Sequence, residues 1–85
     1  MTEKELIQLG FEKQVDDWKR VNDTFYYYTL DITSGLSFIT QANDEVENGE
    51  WVVEIFESAE IKFKDAKTLS TLIDILRWNK LKTSA

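Results

Sequence analysis

Apolar positions change rhythm twice along the chain. Before residue 10 and after residue 65 they recur every three or four residues, whereas between residues 25 and 63 they recur at every second one. The first rhythm belongs to a helix with one buried stripe and the second to a strand with one buried face. The expected order is therefore helix, strands, helix.

Local signals place the ends of these elements. Thr2 and Glu5, in T-E-K-E, can satisfy each other's backbone N–H at a helix start, and Gly10 suits a left-handed C-terminal cap. A short helix over 3–9 follows, with Leu6 and Leu9 inward. "FEKQV" alternates like a half-buried strand, and "DDWKRVND" reads as a polar connection. Asn48-Gly49 predicts a two-residue hairpin turn, because both positions must accept positive φ. That turn would pair Val46 with Trp51, Asp44 with Val53, Ala42 with Ile55 and Thr40 with Glu57. At "TSG", a three-residue loop ending in Gly35 would pair Ile32 with Leu36 and Leu30 with Phe38. Asp65 can cap a last helix whose Leu69, Leu72, Ile73 and Leu76 form one stripe. On that helix Trp78 falls opposite Leu69, and Ile75 lies off the stripe.

Both hairpins assign the same side chains to the same face. The first face carries Tyr26, Tyr28, Leu30, Ile32, Leu36, Phe38, Ala42, Trp51, Val53 and Ile55, with Ile61 and Phe63 added by a short final strand "EIKF". This face is expected to be the core wall, covered by the helices. The class is accordingly α+β: a short N-terminal helix, an antiparallel four- to five-stranded meander sheet, and a C-terminal amphipathic helix packed on one face. One domain spans 1–82, with a frayed tail at 83–85.

The stretch "TFYYYTLDI" complicates this picture, since four consecutive rings on a strand cannot enter one core. The second face receives Phe25 and Tyr27, and the expected register sets Tyr27 beside Gln41 and Gln41 beside Phe56. Ile39 lies on the diagonal, Phe25 and Val52 at the ends, and Glu54 on the same face. Such an apolar patch with a polar rim marks an interaction site when left open. The alternative is that the first helix or "DDWKRVND" folds over it. Trp78 is a separate candidate for partner binding.

Composition narrows the chemistry. With no Cys and no His among 85 residues, cysteine nucleophiles, Ser-His-Asp triads and His-bound metals are excluded. Carboxylate pairs such as Asp16 with Asp17 or Glu54 with Glu57 would need a desolvated pocket that a chain this short rarely builds. Fitted to a calcium loop with Gly49 at the sixth position, "NDEVENGE" and its continuation put Ile55 where a bidentate Glu belongs, so the match fails. No catalytic residue, cofactor or metal is expected, and the chain reads as a non-enzyme.

The net charge of −6 argues against direct nucleic-acid binding. Residues 1–60 hold fourteen acidic and four basic side chains, and residues 61–85 hold two and six. A variant reading is mimicry of DNA, with Glu45, Glu47, Glu50, Glu54, Glu57 and Glu60 along one edge and Lys62 and Lys64 interrupting the run. No run of apolar residues is long enough for a signal peptide or a membrane span, so a cytoplasmic location is expected.

"LGFEKQ", "FYYYTLDI", "NDEVENGEWVVEIFE" and "LIDILRWNK" together resemble a type of small protein found in bacteriophages and prophages, particularly of Bacteroidetes-like hosts. The resemblance implies a phage or mobile-element setting, with no established activity and no functional residues to carry over. The leading expectation is a small acidic binding module that binds or inhibits a host protein through the aromatic sheet face. The alternatives are a structural homodimer that buries this face against a second copy, and the DNA mimic.

Overall fold

A computed structural model of the chain describes residues 1–16 and 25–83. The connection "DDWKRVND" falls, apart from Asp16, outside the described residues. The first helix, α1 (Glu3–Leu9), is held at its start by the expected capping box. The Glu5 N–H donates to Thr2 Oγ1 at 3.2 Å, and the Thr2 N–H donates to Glu5 Oε1 at 2.8 Å. At its end Gly10 adopts φ 102°, and the N–H groups of Gly10 and Phe11 donate back to the carbonyls of Ile7 and Leu6. A side chain here would also crowd a neighbour. A Cβ at this position would lie 3.3 Å from the Arg77 guanidinium.

Five strands follow: β1 (Glu12–Asp16), β2 (Phe25–Thr33), β3 (Leu36–Thr40), β4 (Val53–Ile55) and β5 (Ser58–Phe63). They form one antiparallel sheet in the order β1-β2-β3-β4-β5, each strand beside its neighbour in the chain. The last helix, α2 (Ala66–Thr83), begins at Asp65, whose Oδ2 accepts from the Thr68 N–H at 3.0 Å and from its hydroxyl at 2.7 Å. The helix therefore extends one residue into the expected tail.

Both helices lie on the first face. Leu6, Phe11, Tyr28, Leu30, Ile32, Phe38, Trp51, Val53, Leu69 and Ile73 form one buried cluster, with Leu72 and Leu76 packed against it. Burying a Leu or Phe side chain in this way contributes roughly 1.5–3 kcal/mol against leaving it in water. The aromatic members stack edge to face: Tyr28 meets Trp51 at 5.3 Å and 81°, and Phe38 meets Phe63 at 6.0 Å and 82°. Among the described residues every buried side-chain polar atom has a hydrogen-bond partner.

The four pairings expected behind the Asn48-Gly49 turn are corrected. The Asn48-Gly49 turn forms with φ 55° and 70°, yet the ladder behind it ends at the Glu47–Glu50 bridge. Instead of pairing with Glu57, Thr40 pairs with Val53, and Phe38 pairs with Ile55. The cause lies in competing partners. The Trp51 N–H donates to the Met1 carbonyl at 2.7 Å and the Met1 amine donates to the Trp51 carbonyl at 3.0 Å. A 3-10 turn at Asn43–Glu45 takes up the slack. Because the displacement from Glu57 to Val53 is an even number of residues, the two faces keep their members.

At "TSG" the pairs Leu30–Phe38 and Asp31–Ser37 form in the expected register, but Thr33 rather than Ile32 faces Leu36. A register shift between Asp31 and Thr33 shortens the turn and keeps Ile32 buried. A second irregularity sets Ile55 against Ser58 while Glu54 faces Lys62. It leaves Ile61 on the edge strand at 44 % exposure, not in the core.

Candidate functional site

The strand β2 sorts its rings by parity. Tyr26 and Tyr28 lie on the core face at 6.2 Å from each other, and both approach Trp51. Phe25 and Tyr27 form a second edge-to-face pair at 6.4 Å. Across the sheet on that second face, Glu12, Thr29, Ile39, Glu54 and Lys62 make one cross-strand row. Asp31 and Ser37 begin the next row, and the Phe56 N–H donates to the Ser37 carbonyl at 2.9 Å.

Two grooves open on this face. One, of about 440 Å³, lies between Phe25, Tyr27, Ile39, Gln41, Glu45 and Glu54. The other, of about 230 Å³, lies between Tyr27, Asp31, Ser37, Ile39 and Phe56. Tyr27 and Ile39 belong to both, so these two half-buried side chains form the ridge that divides them. Phe56 is 55 % exposed at the rim.

Local chemistry fixes the frame of the grooves. Gln41 Oε1 accepts from the Val52 N–H at 2.8 Å, and Asn43 Oδ1 accepts from the Tyr26 N–H at 2.9 Å. These side-chain acceptors replace strand pairing beyond Thr40 and shape the end of the larger groove. The carboxylates keep contacts of their own. Glu54 pairs with Lys62 at 2.7 Å, Asp31 accepts from the Ser37 hydroxyl at 2.8 Å, and Glu45 accepts from the Ala42 N–H at 3.2 Å.

The structure thus brings Phe25, Tyr27, Ile39, Gln41 and Glu54 together, and it changes the place of three expected members. Phe56 stands beside Ser37 in the smaller groove, not beside Gln41, because the β3–β4 register differs from the expected one. Val52 lines a third groove of about 310 Å³ with Met1, Trp51 and Lys64, which adjoins the larger one through Gln41 and Glu45. Trp78, 66 % exposed, stands on α2 in the opposite layer and cannot share this site. Glu45, expected only as part of an acidic edge, lines the larger groove, and Asp31 and Ser37 line the smaller one. The Ala42 N–H donates to Glu45 Oε1 and fixes its place, a contact that no capping sequence announces because Ala42 lacks a side-chain acceptor.

Other candidate chemistry disperses. The carboxylates considered for a DNA-like row divide between the 3-10 turn at Asn43–Glu45, the turn at 47–50, the turn at 56–57 and the strands, and Glu54 is held by Lys62. Asp17, one half of a candidate carboxylate pair, lies outside the described residues. Among the described residues no group of three or more acidic side chains is placed to hold a metal ion, and no helix is long and apolar enough to cross a membrane. Comparison with protein families, with curated proteins and with solved structures finds no match to this chain.

Proposed function

We propose that the chain is a non-enzymatic binding module that engages a protein partner through the second sheet face, in the setting of a phage or mobile-element accessory factor acting on a host protein. The observation that carries this reading is the ridge of Tyr27 and Ile39 between two grooves, on the face opposite both helices. Large aromatic side chains in partly desolvated surroundings supply most of the affinity of protein interfaces. One of the two covering segments considered, α1, is committed to the other face by Leu6, which is fully buried among core residues. The other, "DDWKRVND", lies apart from Asp16 outside the described residues.

The test is capture from host lysate by the wild-type chain, by Tyr27→Glu and by Ile39→Ala, with circular dichroism of each. A protein retained by the wild type and lost from both folded variants supports the reading. Equal capture by all three contradicts it.

A further inference from the structure

The charges around the grooves specify the partner more narrowly, given the binding reading above. Glu12, Asp31, Glu45 and Glu54 stand on or beside this face, and Lys62 is the cation that the ladder places there among the described residues. Among the described residues, acidic side chains outnumber basic ones around the apolar ridge. Lys13 does not offset them, because its Nζ lies 4.0 Å over the Tyr26 ring on the core side. We infer that the occupant of this face is an extended polypeptide segment that presents lysine or arginine on either side of an apolar residue.

Three features argue for that occupant over others. Two copies of the chain docked face to face would set one acidic rim against another, and like charges across an interface disfavour association. An anionic partner meets the same repulsion. A purely apolar segment would leave the rim carboxylates facing it without new partners as water is displaced, which costs binding free energy.

The spacing follows from the sheet. Asp31 on β2 and Glu54 on β4 are two strands apart and one cross-strand row apart, a separation of about 12 Å by ordinary strand dimensions. In an extended segment the side chains at i, i+2 and i+4 share one side, and i to i+4 spans about 13 Å. A basic residue at i therefore reaches Asp31, one at i+4 reaches the pair of carboxylates Glu45 and Glu54, and the residue at i+2 rests over Ser37 and Ile39, in the groove that the Tyr27 ring also lines. Lys62 must then share Glu54 with the incoming cation, so Glu45 carries more of the attraction at that end.

The experiment is an amide-resolved NMR titration of the whole chain with an acetylated and amidated Lys-Thr-Phe-Thr-Lys peptide, and with its Glu-Thr-Phe-Thr-Glu and Ser-Thr-Phe-Thr-Ser counterparts. The basic peptide is expected to shift the amides of Tyr27, Asp31, Ser37 and Ile39, and the acidic one to leave them in place. Affinity should fall severalfold as salt rises from about 50 to 300 mM, which shortens the screening length from roughly 14 to 6 Å. The double substitution Asp31→Asn with Glu45→Gln should weaken binding about threefold or more, in line with exposed charge pairs. Equal shifts at these amides with the basic and the neutral peptide would overturn the basic occupant and leave the binding face standing. Shifts confined to the turn at 47–50, or none with any peptide, would overturn the inference. If Tyr27→Ala alone unfolds the chain, the binding reading falls with it.

Discussion

The Tyr28 hydroxyl donates a 2.8 Å hydrogen bond to Glu3 Oε1, which ties the middle of β2 to the first turn of α1. This bond belongs to the core face, and it commits the short helix to that side of the sheet. Its neighbour in the chain, Tyr27, points the other way and lines both grooves.

Burial, with the hydrogen bond to Glu3 second, pushes the Tyr28 phenol from its ordinary 10.0 up to about 12. A folded value above the unfolded one means that the contribution to stability is complete below about pH 10 and is lost as pH rises through about 12. Urea midpoints should therefore fall over this interval. In Tyr28→Phe the hydrogen bond is absent at every pH, with an expected loss of about 1 kcal/mol near neutrality, and the alkaline decline should be shallower.

Gly10→Ala should destabilise the chain by about 1–2 kcal/mol, since alanine must adopt positive φ and its Cβ meets the Arg77 guanidinium. The variant with Arg77→Ala added separates the two causes. Partial recovery identifies the close contact, and no recovery assigns the whole effect to backbone strain.

The hydrogen bonds from Thr68 hold the Asp65 carboxyl below its ordinary value. A lowered folded value contributes stability above the ordinary carboxylate range and loses it as pH falls through the folded value. Asp65→Ala should thus lower the urea midpoint at neutral pH, and the difference from wild type should shrink on acidification. A difference that is constant with pH would show that the carboxylate charge has no part in the cap.

The two sheet faces should respond differently to truncation. Phe38→Ala empties a fully buried position and is expected to cost about 3–5 kcal/mol. Tyr27→Ala removes a half-buried ring from an open groove, with an expected cost of about 1 kcal/mol or less. Chemical denaturation of both variants decides whether the second face is surface or core.

Much of this architecture was legible because parity and caps are local. The alternation Tyr26, Tyr28, Leu30, Ile32 against Phe25, Tyr27, Thr29, Asp31 assigns both faces without any register, and the T-E-K-E and Asp65 caps place the helices. The β3–β4 register was not legible, because it depends on Met1 occupying the Trp51 backbone and on Gln41 reaching Val52, contacts between positions far apart in the chain. For the site, Tyr27 and Ile39 followed from parity, whereas the places of Phe56 and Val52 depended on that register. Trp78 was exposed as its helical angle implied, and only the layering of the fold shows that it stands away from the grooves.

The central claim, that the second sheet face is an open surface for a partner other than a second copy, is tested most directly by the solution mass and urea midpoint of wild type and Tyr27→Glu. Light scattering at about 1 and 100 µM spans the range in which a weak dimer would reveal itself by mass action. The account predicts a 10.0 kDa monomer for both chains at both concentrations, with closely similar urea midpoints. A wild-type dimer split by the substitution, or a variant that no longer folds, would contradict it.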